Sequence, residues 1–247
     1  MTQISKRSRK GLVAVALAAV SLFGAAPASA DTLRYDGAWF GSYFGTYNIR
    51  DGLPSTVNQN VYAGAFRMTD TSGPTLPAGT SFMAWCVDIR HMLNTGSTSY
   101  SLTDGAAFLG GLVASRLERL ASYVVAADGN AATNTLQSTL TGGQQSAAFQ
   151  LAVWEVVNEG TASAYNVNSG DFYVSSGDSS VRSLANTWLT NAMAWTGPST
   201  QSLNVWAGPN STQDLGVFAP IPEPETYAML LAGLGLMGFV ARRRRRI

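Results

Sequence analysis

Apolar and polar positions along this chain fall into three kinds of pattern. Each end carries an unbroken apolar run beside a basic block: Leu12 to Ala26 follows Lys6, Arg7, Arg9 and Lys10, and Tyr227 to Val240 precedes Arg242, Arg243, Arg244, Arg245 and Arg246. Between the ends, apolar positions first alternate with a period of two. From Leu33 to Tyr47 the aromatic residues Tyr35, Trp39, Phe40, Tyr43, Phe44 and Tyr47 are spaced by glycine and polar residues, which predicts a strand or strand pair around a glycine-rich bend. Asn60 to Thr69 predicts a further strand, with Val61, Ala63, Ala65 and Arg67 on one side and Tyr62, Gly64, Phe66 and Met68 on the other. Pro74 and Pro77 make Thr71 to Gly79 a turn. Ser81 to Ile89 predicts a strand that puts Phe82, Ala84, Cys86 and Asp88 on one face and Met83, Trp85, Val87 and Ile89 on the other.

The period changes between Asp104 and Glu159. Leu109, Leu112, Val113, Leu117, Leu120 and Val124 recur at helical spacing and predict one amphipathic helix, which Asp128-Gly129-Asn130 ends. A second helix is predicted from Gly142-Gly143 to a stop at Gly160. Gly-, Ser- and Asn-rich turns follow, then a short helix around Val181 to Trp195, a strand around Leu203 to Trp206, and a further strand within Ser211 to Phe218. No internal repeat is visible. The fold class expected is α+β: an antiparallel sheet or barrel-like domain with an inserted helical pair, flanked by an N-terminal signal helix and a C-terminal transmembrane helix.

The ends decide the compartment. A basic start, a short apolar core and Pro27-Ala28-Ser29-Ala30 before Asp31 are the three parts of a secretory signal, with Ala28 and Ala30 small enough for a signal-peptidase pocket. A permanent N-terminal anchor is the alternative, and it requires a longer apolar run. At the far end, the arginines hold their side cytoplasmic, so the apolar segment points Pro222-Glu223-Pro224 outward. The prolines there fix an extended backbone suited to a protease groove. This order of parts, from Ile221 to Ile247, closely resembles the PEP-CTERM sorting signal. The resemblance implies an exosortase-type membrane protease as partner, cleavage near Pro222-Glu223-Pro224, and a Gram-negative-type bacterium that makes extracellular polysaccharide in biofilms. The expected division is residues 1–30 as signal peptide, 31–220 as the exported domain and 221–247 as sorting signal. The chain is expected to use the secretion machinery and signal peptidase, to sit transiently in the inner membrane, and to end on the cell surface or in the matrix.

Composition narrows the exported part. From Asp31 to Pro220 there are seven arginines, no lysine and thirteen Asp or Glu. An acidic domain without a basic stripe excludes nucleic acid as a partner. Cys86 is the one cysteine, so no internal disulfide forms and the core must hold the fold. His91 is the one histidine; with no further imidazole to join it, no metal site and no cofactor are expected. A Cys86–His91 catalytic pair is the weaker use of both residues. Glu155 and Glu159, four apart, read as a solvated outer helix face. Neither Asp128-Gly129-Asn130 nor Asn166 to Asp171 has the twelve-residue calcium-loop pattern. No acid, base and nucleophile converge, and the chain is expected not to be an enzyme. The Tyr and Trp residues suit stacking on sugar rings as well as a core.

Gln150 stands out. On the second predicted helix it lies along one face with Ala147, Trp154 and Val157, beside Phe149, Val153 and Val156. A carboxamide set among apolar neighbours costs about 1–3 kcal/mol to bury without partners, so hydrogen bonds or a covalent change must compensate. Here the sequence resembles the thioester domains of bacterial surface adhesins. A strand with Trp85-Cys86-Val87 and a later helix with Gln150-Leu151-Ala152-Val153-Trp154 match that family's two motifs, although the family's pattern has Thr where this chain has Phe149. The resemblance implies a bond from the Cys86 sulfur to the Gln150 side-chain carbonyl, with Trp85, Ala152 and Trp154 in support, and covalent capture of a surface or matrix amine or hydroxyl. The absence of lysine from Asp31 to Pro220 would spare such a domain from acylating itself. Two other readings stand beside it: an inert buried thiol with Gln150 as a structural cap, and a non-covalent structural or polysaccharide-binding matrix protein.

Overall fold

In the computed structural model, residues 30–51, 57–127, 135–160, 162–209, 211–221, 232–234 and 236–237 are described. Six strands close into an antiparallel barrel in the order β1 (Ala30–Ala38), β4 (Phe66–Asp70), β5 (Ser81–Cys86), β9 (Leu215–Pro220), β8 (Gln201–Ala207) and β6 (Ser97–Asp104). A second sheet has the order β3 (Val57–Tyr62), β2 (Thr46–Asp51) and β7 (Phe172–Ser176). Helices α1 (Gly105–Leu109), α2 (Gly111–Ala127), α3 (Leu136–Thr139) and α4 (Gly143–Glu159) lie between β6 and β7, and α5 (Ser179–Ala194) lies between β7 and β8. The expected mixture of antiparallel barrel and inserted helices is therefore present. The insertion, however, has four helical segments where a pair was expected.

Registers fix what faces inward. Leu33 is opposite Asp70 on one side and Thr98 on the other, Met68 is opposite Phe82, and Cys86 is opposite Leu215. Directly opposed residues share a face, so Leu33, Met68, Ala84, Cys86, Tyr100, Trp206 and Leu215 fill the barrel interior, where all are buried. The opposite face of β5, β9 and β8 carries Trp85, Phe218 and Leu203. Trp85 lies 4.6 Å from the Phe149 ring of α4, and Phe149 also meets Trp188 and Phe218. Burying side chains of this size contributes about 1.5–3 kcal/mol each.

Two expectations are corrected here. The run Asn60 to Thr69 is two strands of different sheets, because the chain turns at Ala63-Gly64-Ala65, where Gly64 has φ +145°. Leu33 to Tyr47 is the expected strand pair around a glycine-rich bend, with β1 in the barrel and the start of β2 in the other sheet. The first helix is broken at Gly110, φ +86°, with Asp104 capping α1 through the amides of Ala106 and Ala107. The apolar stripe that buries itself begins only after that break, at Leu117, Leu120 and Val124. By contrast α4 spans the expected residues, and every position from Ser146 to Val156 is buried. Strands β6 and β7 were not foreseen; both are rich in Ser, Thr and Tyr and lack a clean apolar alternation.

Candidate functional site: the Cys86–Gln150 junction

The site forms where the barrel ladder runs out. Strand β4 ends at Phe66, opposite Ala84, so β5 continues past it for two residues. The Val87 amide bonds to the Asp214 carbonyl on the β9 side. Since successive peptide groups alternate sides along a strand, the Cys86 amide and carbonyl face the gap that β4 has left. Buried backbone groups need partners, and α4 supplies them. Gln150 Oε1 accepts from the Cys86 amide at 3.0 Å, and Gln150 Nε2 donates to the Cys86 carbonyl at 2.8 Å. One turn earlier, Ser146 Oγ accepts from the Ala65 amide at 2.8 Å. Two side chains four residues apart on one helix face thus stand in for a missing strand.

Cys86 is fully buried and free of any disulfide. Its thiol donates to the Asp88 carbonyl at 3.0 Å. Burial pushes the thiol up to about 12, an effect opposed chiefly by the Trp154 indole N–H and the Asp88 backbone contact. That indole N–H is buried and has no hydrogen-bond partner. Of the other expected motif residues, Ala152 is fully buried in α4 and Trp85 packs its ring on Phe149. Phe149 points into that aromatic cluster rather than at Cys86, which explains how this position carries a large apolar side chain.

A cavity of about 320 Å³ lies against the loop that follows Cys86, walled there by His91, Met92 and Leu93. Phe66, Tyr43 and Tyr35 line it near the barrel, and Gln213 and His91 line another part of its wall. Gln213 Nε2 donates to the Asp88 carbonyl at 3.2 Å, the same oxygen that takes the Cys86 thiol, and to the His91 carbonyl at 3.3 Å. Tyr43 is raised far above the usual phenol range, first by burial and then by its hydrogen bond to Tyr35, and the nearby Cys86 adds to the effect. The His91 ring is paired through Nδ1 with the Asp88 carboxylate.

Glu155 is not on a solvated face. It is 1% exposed, its Oε1 accepts from the Asn166 amide at 2.7 Å, and burial raises its acid to about 8. Glu159 accepts from the Phe172 amide at 2.9 Å, so both acids anchor the segment that leads into β7. Ser146, Tyr43, Gln213 and Asp88 were not singled out from sequence as parts of the site. Ser146 had a signal, the four-residue spacing to Gln150; the others come together only through the loops. Among the described residues no group of three or more His, Cys, Asp or Glu could hold a metal ion.

Ala30 and Asp31, expected at the signal-cleavage point, open β1 opposite Ser101 and Tyr100. Ala28, Pro222, Glu223, Pro224 and Arg242 to Arg246 lie outside the described residues, as does Asp128-Gly129-Asn130. No described helix is long and apolar enough to cross a membrane. Comparison with family models matches the chain's end to the PEP-CTERM protein-sorting motif over residues 220–246. Residues 220–246 are a PEP-CTERM sorting motif. The PEP-CTERM motif implies an exported surface protein processed by an exosortase-type system. No curated protein matches the chain. Among solved structures, the chain is similar to the N-terminal thioester domain of fibronectin-binding protein SfbI from Streptococcus pyogenes, at 15% identity and a TM-score of 0.40, over 76% of this chain and 98% of that one.

Proposed function

We propose that this PEP-CTERM protein is a covalent adhesin of the cell surface or matrix, armed by a thioester between Cys86 and Gln150. The observation that carries the reading is the pair of hydrogen bonds joining the Gln150 carboxamide to the Cys86 peptide across 64 residues of sequence. Formation breaks the Cδ–Nε2 bond of Gln150 and makes a Cδ–Sγ bond. The thiol proton leaves with the nitrogen, and one ammonia is released. An amine is a poor leaving group against a thiol, so the step depends on holding both groups together in a dry site, where effective molarity reaches about 10⁵–10⁸ M. The Cys86 amide, already aimed at Gln150 Oε1, stabilises the oxyanion as the carbonyl becomes tetrahedral. The Trp154 indole N–H stabilises charge on the sulfur. When an incoming amine or hydroxyl attacks, the C–S bond breaks, the nucleophile is joined to the Gln150 carbonyl, and Cys86 regains its proton.

The PEP-CTERM motif fits this reading, since an exosortase-type protease acting near Pro222-Glu223-Pro224 would present the domain outside the cell. The lysine-free stretch from Asp31 to Pro220 removes the amines most prone to self-capture. Intact mass of the purified protein is the test. A deficit of one ammonia that disappears in Cys86→Ala and is replaced by a methylamine adduct at Gln150 supports the thioester. A mass equal to that of the processed sequence refutes it. Glycan binding that survives Cys86→Ser in a protein of unreduced mass would then leave the non-covalent matrix role.

A further inference from the structure

The cavity beside the junction has a composition of its own. Its lining holds no carboxylate: Gln59, Asn60 and Gln213 are its amides, and Tyr35, Tyr43, Tyr62 and Phe66 its aromatic rings. Tyr62 stacks on Tyr43 at 5.6 Å and 17° yet remains 64% exposed, which leaves an aromatic face open at the mouth. Deeper in, the Gln213 side-chain oxygen is buried without a donor, while its nitrogen is committed to the carbonyls of Asp88 and His91. A neutral pocket with stacked tyrosines and an unused buried acceptor suits a hydroxyl-bearing ring. A lysine ammonium would enter it with no counter-charge from the lining.

The wall also holds a base. In the tautomer that donates Nδ1–H to Asp88, the His91 imidazole keeps Nε2 as a free acceptor, with Asp88 as the positioning residue. Asp88 is itself fixed, because its other carboxylate oxygen accepts the Arg90 amide at 2.8 Å. Amines attack thioesters with their own lone pair, whereas a hydroxyl must lose its proton as it attacks. A histidine–carboxylate pair, tied to the Cys86 thiol through the residue Asp88, is what the second nucleophile needs and the first does not.

We infer that the acceptor captured at this site is a carbohydrate hydroxyl, deprotonated by His91 and held by Gln213 and the Tyr43–Tyr62 stack. This rests on the thioester reading above. The sugar oxygen attacks the Gln150 carbonyl carbon, its proton passes to His91 Nε2, and the C–S bond breaks. The proton then returns to the departing Cys86 sulfur, so an ester and a free thiol result with no outside reactant.

The full chain is incubated with glycerol or with methylamine and followed by intact mass. The expected result is an ester adduct with glycerol whose rate falls about 10²-fold or more in His91→Ala, while methylamine transfer falls far less. Added imidazole should restore part of the glycerol rate. A starting mass with no ammonia deficit defeats the thioester and this inference together. A deficit followed by methylamine adducts alone, or by glycerol esters formed equally fast in His91→Ala, overturns the hydroxyl assignment and leaves the thioester standing.

Discussion

Gln150 takes both backbone groups of Cys86, accepting its amide at 3.0 Å and donating to its carbonyl at 2.8 Å. The same contact has two consequences. It completes a β-ladder that β4 abandons, and it places a carboxamide carbonyl at the cysteine with a backbone donor already on its oxygen. Structural and chemical roles are therefore not rivals at this position. The cap that the fold requires is also the group the chemistry would use.

The structural share can be measured alone. In a Cys86→Ala background, where no cross-link contributes, Gln150→Ala leaves one buried amide and one buried carbonyl unpaired. At about 1–3 kcal/mol for each, the variant should lose about 2–5 kcal/mol, read as a lower urea midpoint at unchanged slope. A loss below about 1 kcal/mol would mean that water or a strand shift replaces the carboxamide.

Trp154 should act on the sulfur more than on the fold. Trp154→Phe keeps most of the ring volume and removes the indole N–H that opposes the rise at the Cys86 thiol. The thiol should become still harder to ionise, and methylamine consumption by the loaded protein should slow by about tenfold, the equivalent of one weak hydrogen bond of about 1.4 kcal/mol. Stopped time-courses by mass decide it, with the thermal midpoint as a control for packing loss.

The chain reversal at Gly64 underlies the whole junction. Its φ of +145° is unsuited to side chains, and a Cβ there would meet Ser146 Oγ and the Tyr43 ring, each at 3.1 Å. Gly64→Ala should cost about 1–3 kcal/mol. It should also loosen the Ser146–Ala65 bond, so that hydrogen exchange at the Ala65 amide speeds up more than at Leu33 in the barrel.

Much of this was legible in the sequence, for reasons that can be named. Helix α4 announced itself because its apolar residues surround a single amide and two glycines bound it; Cys86 sat in an unmistakable alternation. The break at Gly64 was not legible, since Val61 to Met68 keeps a strand-like alternation straight through the turn. Glu155 was misplaced because i,i+4 spacing to Glu159 reports a shared face but not what covers it. The Asn166 to Phe172 segment folds back over that face and takes both carboxylates as amide acceptors. The cavity beside Cys86 was invisible for a similar reason, being walled by Tyr43, Tyr62, His91 and Gln213 from four separated stretches.

Glu155 makes the last prediction. Burial raises its acid to about 8, against an ordinary value of 4.5, with the Asn166 amide partly offsetting and Glu159 adding to the rise. The folded state therefore binds this proton more tightly than the unfolded state. Stability from this group is full below about pH 4.5 and declines as pH rises toward about 8, because the unfolded chain has already released the proton that the folded one retains. Glu155→Gln keeps an acceptor for the Asn166 amide and carries no proton to lose. Its urea midpoint should be nearly flat across that window, whereas the unaltered protein should lose on the order of a few kcal/mol from this group between the two limits. The two curves should converge at acid pH and separate as pH rises, with the variant the more stable at pH 8. Parallel curves would show that the carboxylate is solvated in the folded state and that the Asn166 loop opens over it.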